Sequence, residues 1–177
     1  MNLYVQSDLY RYVGEVTPCA FADQYLHNAA FRYMVAFRLV NSSNSIERLL
    51  GKVLWVLRNR NRIQIPRNTQ IGYGLYIGHS GPIIVSESAT IGNNCNISQF
   101  TTIGSNDGNA ATIGDNVYIG PNVCIVENVR IGDNATIGGG SVVTKDIPCN
   151  ATAAGNYARV LNYNRPGRYI GNPWIKN

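Results

Sequence analysis

The sequence predicts a mainly β protein: a solenoid of short parallel strands wound into triangular coils, with a short helical segment before it. Three observations carry this. Aliphatic residues recur every six positions from Ile65 to Val143, small turn-forming residues follow them, and the first sixty residues show neither feature.

The repeat comes first. Its aliphatic positions are Ile65, Ile71, Ile77, Val85, Ile91, Ile97 and Ile103, then Ile113, Ile119, Ile125, Ile131, Ile137 and Val143. Gly follows directly at Gly72, Gly78, Gly92, Gly104, Gly114, Gly120, Gly132 and Gly138, and Asn or Asp often comes next. A period of six matches neither the helix nor the single strand. It fits one short strand plus one corner, three such units closing a triangle and stacked triangles burying the aliphatic side chain. β-Branched Ile suits the flat wall, and Gly, Asn and Asp tolerate the left-handed backbone of a tight corner.

Two interruptions break the phase. Ile77 to Val85 spans eight residues, placing two extra around His79-Ser80-Gly81-Pro82. Ile103 to Ile113 spans ten, placing four extra in Ser105 to Ala111. A coil cannot absorb extra residues, so both segments bulge outward, and functional groups are sought there.

The segment 1–62 reads as helical, with two proline-free patterns at Ala22–Val40 and Ser45–Arg58. Ser43 to Ser45 offers an N-cap for the second, with Glu47 in its first turn. That helix mixes Leu49, Leu50, Val53, Leu54, Trp55 and Leu57 with Arg48, Lys52 and Arg58, and Arg60 and Arg62 follow. It can lie on a membrane surface or cap the open end of the solenoid with its apolar face; capping is required in any case. The solenoid is expected over 63–148 and an irregular tail over 149–177, since Lys145-Asp146-Ile147-Pro148 breaks the last strand.

Composition agrees. Of 177 residues, 45% are hydrophobic and 14% charged, below the roughly 25% charged of an ordinary domain, so small polar residues cover much of the surface. The net charge of +5 resides in residues 1–67, where nine Lys and Arg face four Asp and Glu, a balance of 9 − 4 = +5. Such a segment suits nucleic acid, an anionic membrane or an acidic ligand, or is simply a solvated face; no nucleic-acid partner is expected. Cys19, Cys95, Cys124 and Cys149 lie far apart with no CxxC pair, which suggests neither a zinc site nor a disulfide framework. Without a signal-like start or a membrane-length apolar run, the expected location is the cytoplasm, with the inner face of the membrane as an alternative station.

Between Ile65 and Leu161 the chain carries Ile77-Gly78-His79-Ser80-Gly81, Val85-Ser86-Glu87-Ser88-Ala89, Ile97-Ser98-Gln99, Thr102-Ile103-Gly104, Ile137-Gly138-Gly139-Gly140-Ser141-Val142-Val143 and Ala153-Ala154-Gly155-Asn156-Tyr157-Ala158-Arg159-Val160. In these stretches it resembles the hexapeptide-repeat acyltransferases, within them the serine acetyltransferase-like branch. The resemblance implies a left-handed β-helix, a homotrimer, acetyl-coenzyme A as donor, and an active site between neighbouring subunits; from the cysteine spacing and the two histidines, no metal is expected.

His79 occupies the position of that branch's catalytic histidine. An alcohol is a poor nucleophile near neutral pH, and a positioned imidazole can take its proton as it attacks a thioester. Glu87 matches a family glutamate eight residues further on, either orienting the acceptor or forming a surface charge at a corner. For the donor, the resemblance points to backbone groups of Gly104, Ser105, Pro121 and Gly139. Lys145 could pair with a coenzyme A phosphate, with Arg159 a weaker candidate. His27 is expected to be structural.

Departures from the branch direct the choice of acceptor. Gly78 stands where an aspartate precedes the histidine, and Gln64 where an upstream aspartate buttresses it. Asn109 and Ala110 stand near an expected Arg-His pair. The expected acceptor is therefore a hydroxyl of a sugar, glycan or glycolipid precursor in surface polysaccharide biosynthesis, with Gln64 and Glu87 contacting it. Serine O-acetylation for cysteine biosynthesis is the alternative. A γ-carbonic anhydrase-like metalloenzyme would need three histidine ligands where the chain has His27 and His79 alone. A non-catalytic scaffold would bind no acetyl-coenzyme A.

Overall fold

The six-residue units do stack into three flat faces. A computed structural model describes residues 1–57 and 62–175. The first face holds β1 (Ile63–Gln64), β4 (Ile83–Val85), β7 (Thr102–Gly104), β10 (Cys124–Val126) and β13 (Val142–Val143). The second holds β2 (Gln70–Ile71), β5 (Thr90–Ile91), β8 (Thr112–Ile113) and β11 (Arg130–Ile131). The third holds β3 (Tyr76–Ile77), β6 (Asn96–Ile97), β9 (Tyr118–Ile119), β12 (Thr136–Ile137), β14 (Thr152–Ala154) and β15 (Arg159–Asn162). All pairings are parallel except β14 with β15, so the chain winds about five turns of a β-helix.

Each unit sends two side chains inward, two residues apart, because strand side chains alternate. The repeat position is one of them; Leu75, Ala89, Cys95, Ala111, Val117, Val123, Val129 and Ala135 supply the other, and all are buried. Asn94, Asn116, Asn134 and Asn150 occupy the edge between the second and third faces, each with φ between 55° and 64°. This is the left-handed region that Asn tolerates. Their amides also ladder, Asn116 donating to Asn134 and Asn134 to Asn150 at 3.2 and 3.0 Å.

The first coil has no coil beneath it, leaving a rim of unpaired backbone groups that water or side chains must satisfy. Side chains of the N-terminal helices do so on every side. The Tyr33 hydroxyl donates to Ile65 C=O (2.9 Å) and accepts from its N–H (3.0 Å). Arg38 donates to the carbonyls of Ile71 and Gly72, Ser7 accepts from Gly74 N–H, and Asp8 accepts from Leu75 N–H. The Tyr12 hydroxyl serves both backbone groups of Ile77. Asp8 and Arg38 form a buried bidentate ion pair, at 2.8 and 3.0 Å. The end cap is therefore a polar lattice over an apolar plug of Met34 and Phe37.

This cap differs from the two-helix expectation. Four helices lie among the described residues: α1 (Leu3–Val13), α2 (Pro18–His27), α3 (Ala29–Val40) and α4 (Ser45–Leu57). The pattern over Ala22–Val40 is split at Asn28, whose Oδ1 accepts from Ala30 and Phe31 N–H and starts α3. Within the expected Ser43–Ser45 cap it is Asn44 that caps α4, accepting from Ile46 and Glu47 N–H. Arg58 and Arg60 lie outside the described residues. Nor does the apolar stripe of α4 cap the solenoid. The α4 helix packs on α3 through Gly51, where a Cβ would stand 2.2 Å from Val40 N. Trp55 reaches Tyr33 and Phe37. The tail is more ordered than expected from residue 149 on: β14 buries Ala153 in the last coil and β15 folds back on it.

Candidate active site

His79 lies on the edge joining the third face to the first. Two extra residues there make a turn in which Gly81 N–H donates to His79 C=O at 2.9 Å, lifting the imidazole into an exposed position. Arg62 donates to Ser80 C=O from below at 3.4 Å. Tyr12 holds Ile77, two residues upstream, through contacts of 3.0 and 3.1 Å. Gly78, where the resemblance expects an aspartate, lies against the Tyr76 ring: a Cβ there would stand 3.1 Å from Tyr76 Cε1, so the ring would have to give by a few tenths of an ångström.

A cavity of about 210 Å³ opens beside His79, walled by Tyr76, Asn96, Ser98, Gln99, Tyr118 and Pro121. Gln99 forms the layer above: its Cβ fills the space a side chain at Gly81 would need, 2.5 Å from the ideal Cβ. Its Oε1 is buried and finds no hydrogen-bond partner among the described residues. A carboxamide acceptor left so costs about 1–3 kcal/mol, which a donor on a bound molecule would offset. Sequence reasoning quoted Gln99 within a matching stretch but gave it no role; only stacking sets it one coil above the histidine turn.

The other expected residues divide between edges. Pro121 and Gly139 share the edge of His79, stacked so that Gly140 N–H donates to Pro121 C=O at 2.8 Å. Glu87 sits on the edge between first and second faces, exposed, accepting from Asn68 Nδ2 at 2.7 Å. Gly104 ends first-face strand β7, and Ser105 and Lys145 follow first-face strands, all toward that same distant edge. Gly104 is open, with no neighbour nearer than 4.0 Å to an added Cβ, so a ligand could approach its backbone. The Ser105 hydroxyl is engaged, donating to Glu127 Oε2. Gln64 is exposed on β1, outside the residues that wall the cavity. The second bulge is pinned rather than free: Glu127 also accepts from Asn106 and Asp107 N–H, and Ala110 N–H donates to Ser88. His27 ends α2 and pairs with Asp23 at the surface, 3.1 Å away.

One chain thus carries an exposed histidine beside a small cavity on one edge and open glycine backbone on another. Known proteins resemble the chain in sequence and fold. The family described as bacterial transferase hexapeptide (six repeats) matches residues 110–145. Serine acetyltransferase 3 (mitochondrial) of Arabidopsis thaliana is 38% identical over 96 residues, covering 52% of this chain and 25% of its own length. The structure of soybean serine acetyltransferase complexed with serine superposes with a TM-score of 0.68 at 32% identity, covering 89% of this chain and 68% of that one. The chain belongs to the serine acetyltransferase-like hexapeptide-repeat transferases.

A serine acetyltransferase in complex with CoA is a further structural neighbour, at TM-score 0.67 and 27% identity, covering 89% of this chain and 68% of that chain. The chain spans a quarter to about a half of the length of the curated relatives it matches. These relatives overturn the expectation of a sugar, glycan or glycolipid acceptor, because they are serine acetyltransferases. The physical reason for the misreading is that Gly78, Gln64, Asn109 and Ala110 only subtract charge, and a missing charge does not specify a saccharide.

Proposed function

We propose that this transferase moves the acetyl group of acetyl-coenzyme A onto the hydroxyl of serine, with His79 as general base, in the cytoplasm. The observation that carries the reading is the small cavity shared by His79 and Gln99, in a chain akin to a serine-bound homologue. The imidazole takes the hydroxyl proton as the oxygen attacks the thioester carbonyl. The tetrahedral intermediate collapses, the C–S bond breaks, and the imidazolium returns the proton to the leaving thiolate, giving O-acetylserine and coenzyme A. Such base assistance contributes about 10²–10⁴ in rate. Gln99 Oε1 accepts from the serine ammonium, replacing charges the site lacks.

The donor groups stand on a different edge from His79, so we place the working site between copies in a homotrimer. His79, Pro121 and Gly139 of one copy face Gly104, Ser105, Lys145 and Glu87 of the next, with Lys145 on a coenzyme A phosphate. The exposed Ile84 and Phe100 between these edges support a packed interface.

The test is coenzyme A release from acetyl-coenzyme A with serine. His79→Ala should lower kcat by about 10²–10⁴, while Gln99→Leu should chiefly raise KM for serine. Absence of serine-dependent release by the wild type, or an undiminished His79→Ala enzyme, would sink the proposal.

A further inference from the structure

The helix α4 is oriented against ordinary expectation. Amphipathic helices turn their apolar stripe to the core, yet Ile46, Leu49, Leu50, Val53, Val56 and Leu57 are 52–81% exposed. These positions follow the i, i+3, i+4, i+7 spacing of a single face. Gly51 explains the inversion. Only a residue without a side chain allows α4 to meet the backbone of Leu39 and Val40 so closely, and that contact commits the opposite face to the outside.

The exposed charges beside the stripe are basic. Lys52 is exposed along its flank and Arg48, also exposed, donates to Ser42 C=O at 3.3 Å, while the one acid of the helix, Glu47, is held by Ser42 and Asn2 at 2.6 and 2.8 Å. Next to the stripe a groove of about 390 Å³ runs between α2, α3, α4 and β1, with Ala36, Leu54 and Leu57 apolar and Arg32 and Arg62 cationic. At 13 residues α4 is about 20 Å long, and among the described residues no helix is long and apolar enough to cross a membrane.

We propose that α4 lies on an anionic phospholipid surface, its apolar stripe among the acyl chains and Arg48 and Lys52 at the phosphates. The convex stripe suits a fluid plane, and the cations on and beside it, Arg48 and Lys52 on α4 with Arg32 and Arg62 at the adjoining groove, complement anionic headgroups. A second copy fits less well, since a twofold pairing of the stripes would set Arg48 and Lys52 of both copies side by side. This inference is independent of the acceptor at His79.

The experiment is co-sedimentation of the full chain with phosphatidylcholine vesicles, with and without phosphatidylglycerol, at low and high salt. Wild type should bind only the anionic vesicles, more weakly at high salt. Leu49→Gln with Val53→Gln should abolish binding, and Arg48→Gln or Lys52→Gln should weaken it roughly fivefold each. All four side chains are exposed, so circular dichroism and thermal melting should match wild type, and His79→Ala should bind as wild type does. Failure of the wild type to bind anionic vesicles, or equal binding to neutral ones, would overturn the proposal. So would a fall in sedimentation mass for the Leu49→Gln, Val53→Gln variant with vesicle binding unchanged, which would give the stripe to a second copy.

Discussion

Tyr12→Phe isolates the contact between the helical cap and the strand that leads to His79. The Tyr12 hydroxyl donates to Ile77 C=O at 3.0 Å and accepts from Ile77 N–H at 3.1 Å. Strand β3 is the terminal strand of its face, so no lower coil can take these groups. Burial pushes the hydroxyl's pKa well above its ordinary value, keeping it neutral and able both to donate and to accept. Removing one oxygen orphans two backbone groups, each costing about 1–3 kcal/mol when buried and unpaired. The contact is partly buried, so a total of about 2–3 kcal/mol is expected. For a chain of 177 residues that lowers the melting temperature by about 4–12 °C. Because Ile77 precedes His79 by two residues, kcat should fall as well. Tyr33→Phe is the control: it orphans Ile65, on the first face, and should lower stability at least as much while sparing kcat. Thermal melting and coenzyme A release on both variants decide the matter. A Tyr12→Phe protein that melts within a degree of wild type would refute the capping account, and equal losses of kcat in both variants would refute the link to His79.

Glu127 gives a pH test. Its bonds from the Ser105 hydroxyl and Asn106 N–H hold its carboxyl below the ordinary value of 4.5. A depressed folded pKa means the contact is fully present above the unfolded value and lost as pH falls through the lower folded one. Amide exchange at Asn106 and Asp107, corrected for intrinsic rates, should thus show steady protection from pH 7 to about 5 and loss below about 4; Glu127→Gln should lose it at neutral pH. Cysteine alkylation tests the core: burial pushes the Cys95 thiol up to about 12, while Cys19 and Cys149 are exposed. Iodoacetamide at pH 8 should label the latter two in the native protein and reach Cys95 only after denaturation; rapid native labelling of Cys95 would contradict the packing described.

The acceptor shows where reading by subtraction fails. Missing charges at Gly78, Gln64, Asn109 and Ala110 were legible, but a missing charge does not say what a site binds instead. What walls the cavity comes from three successive coils, including Asn96, Gln99 and Tyr118, residues that no local pattern unites. Helix α1 was missed for a related reason. Its buried side chains include Ser7, Asp8 and Arg11, which hydropathy assigns to water, and they are inside because a rim of strand backbone needs polar partners. The turn at Asn28 carried a readable capping signal, as did Thr17 before Pro18, whose hydroxyl accepts from Ala20 N–H.

By itself the sequence determined the solenoid, its phase and the outward turn that carries His79. Those follow from a six-residue covalent period, in which burial alternates along each strand and corners demand Asn or Gly backbone. Only the tertiary structure decided which edge each functional group occupies, that Gln99 stands above the histidine turn, and that α4 turns its apolar face outward. These depend on how many residues separate stacked coils and on one close backbone approach at Gly51, distances through space that a linear pattern does not encode.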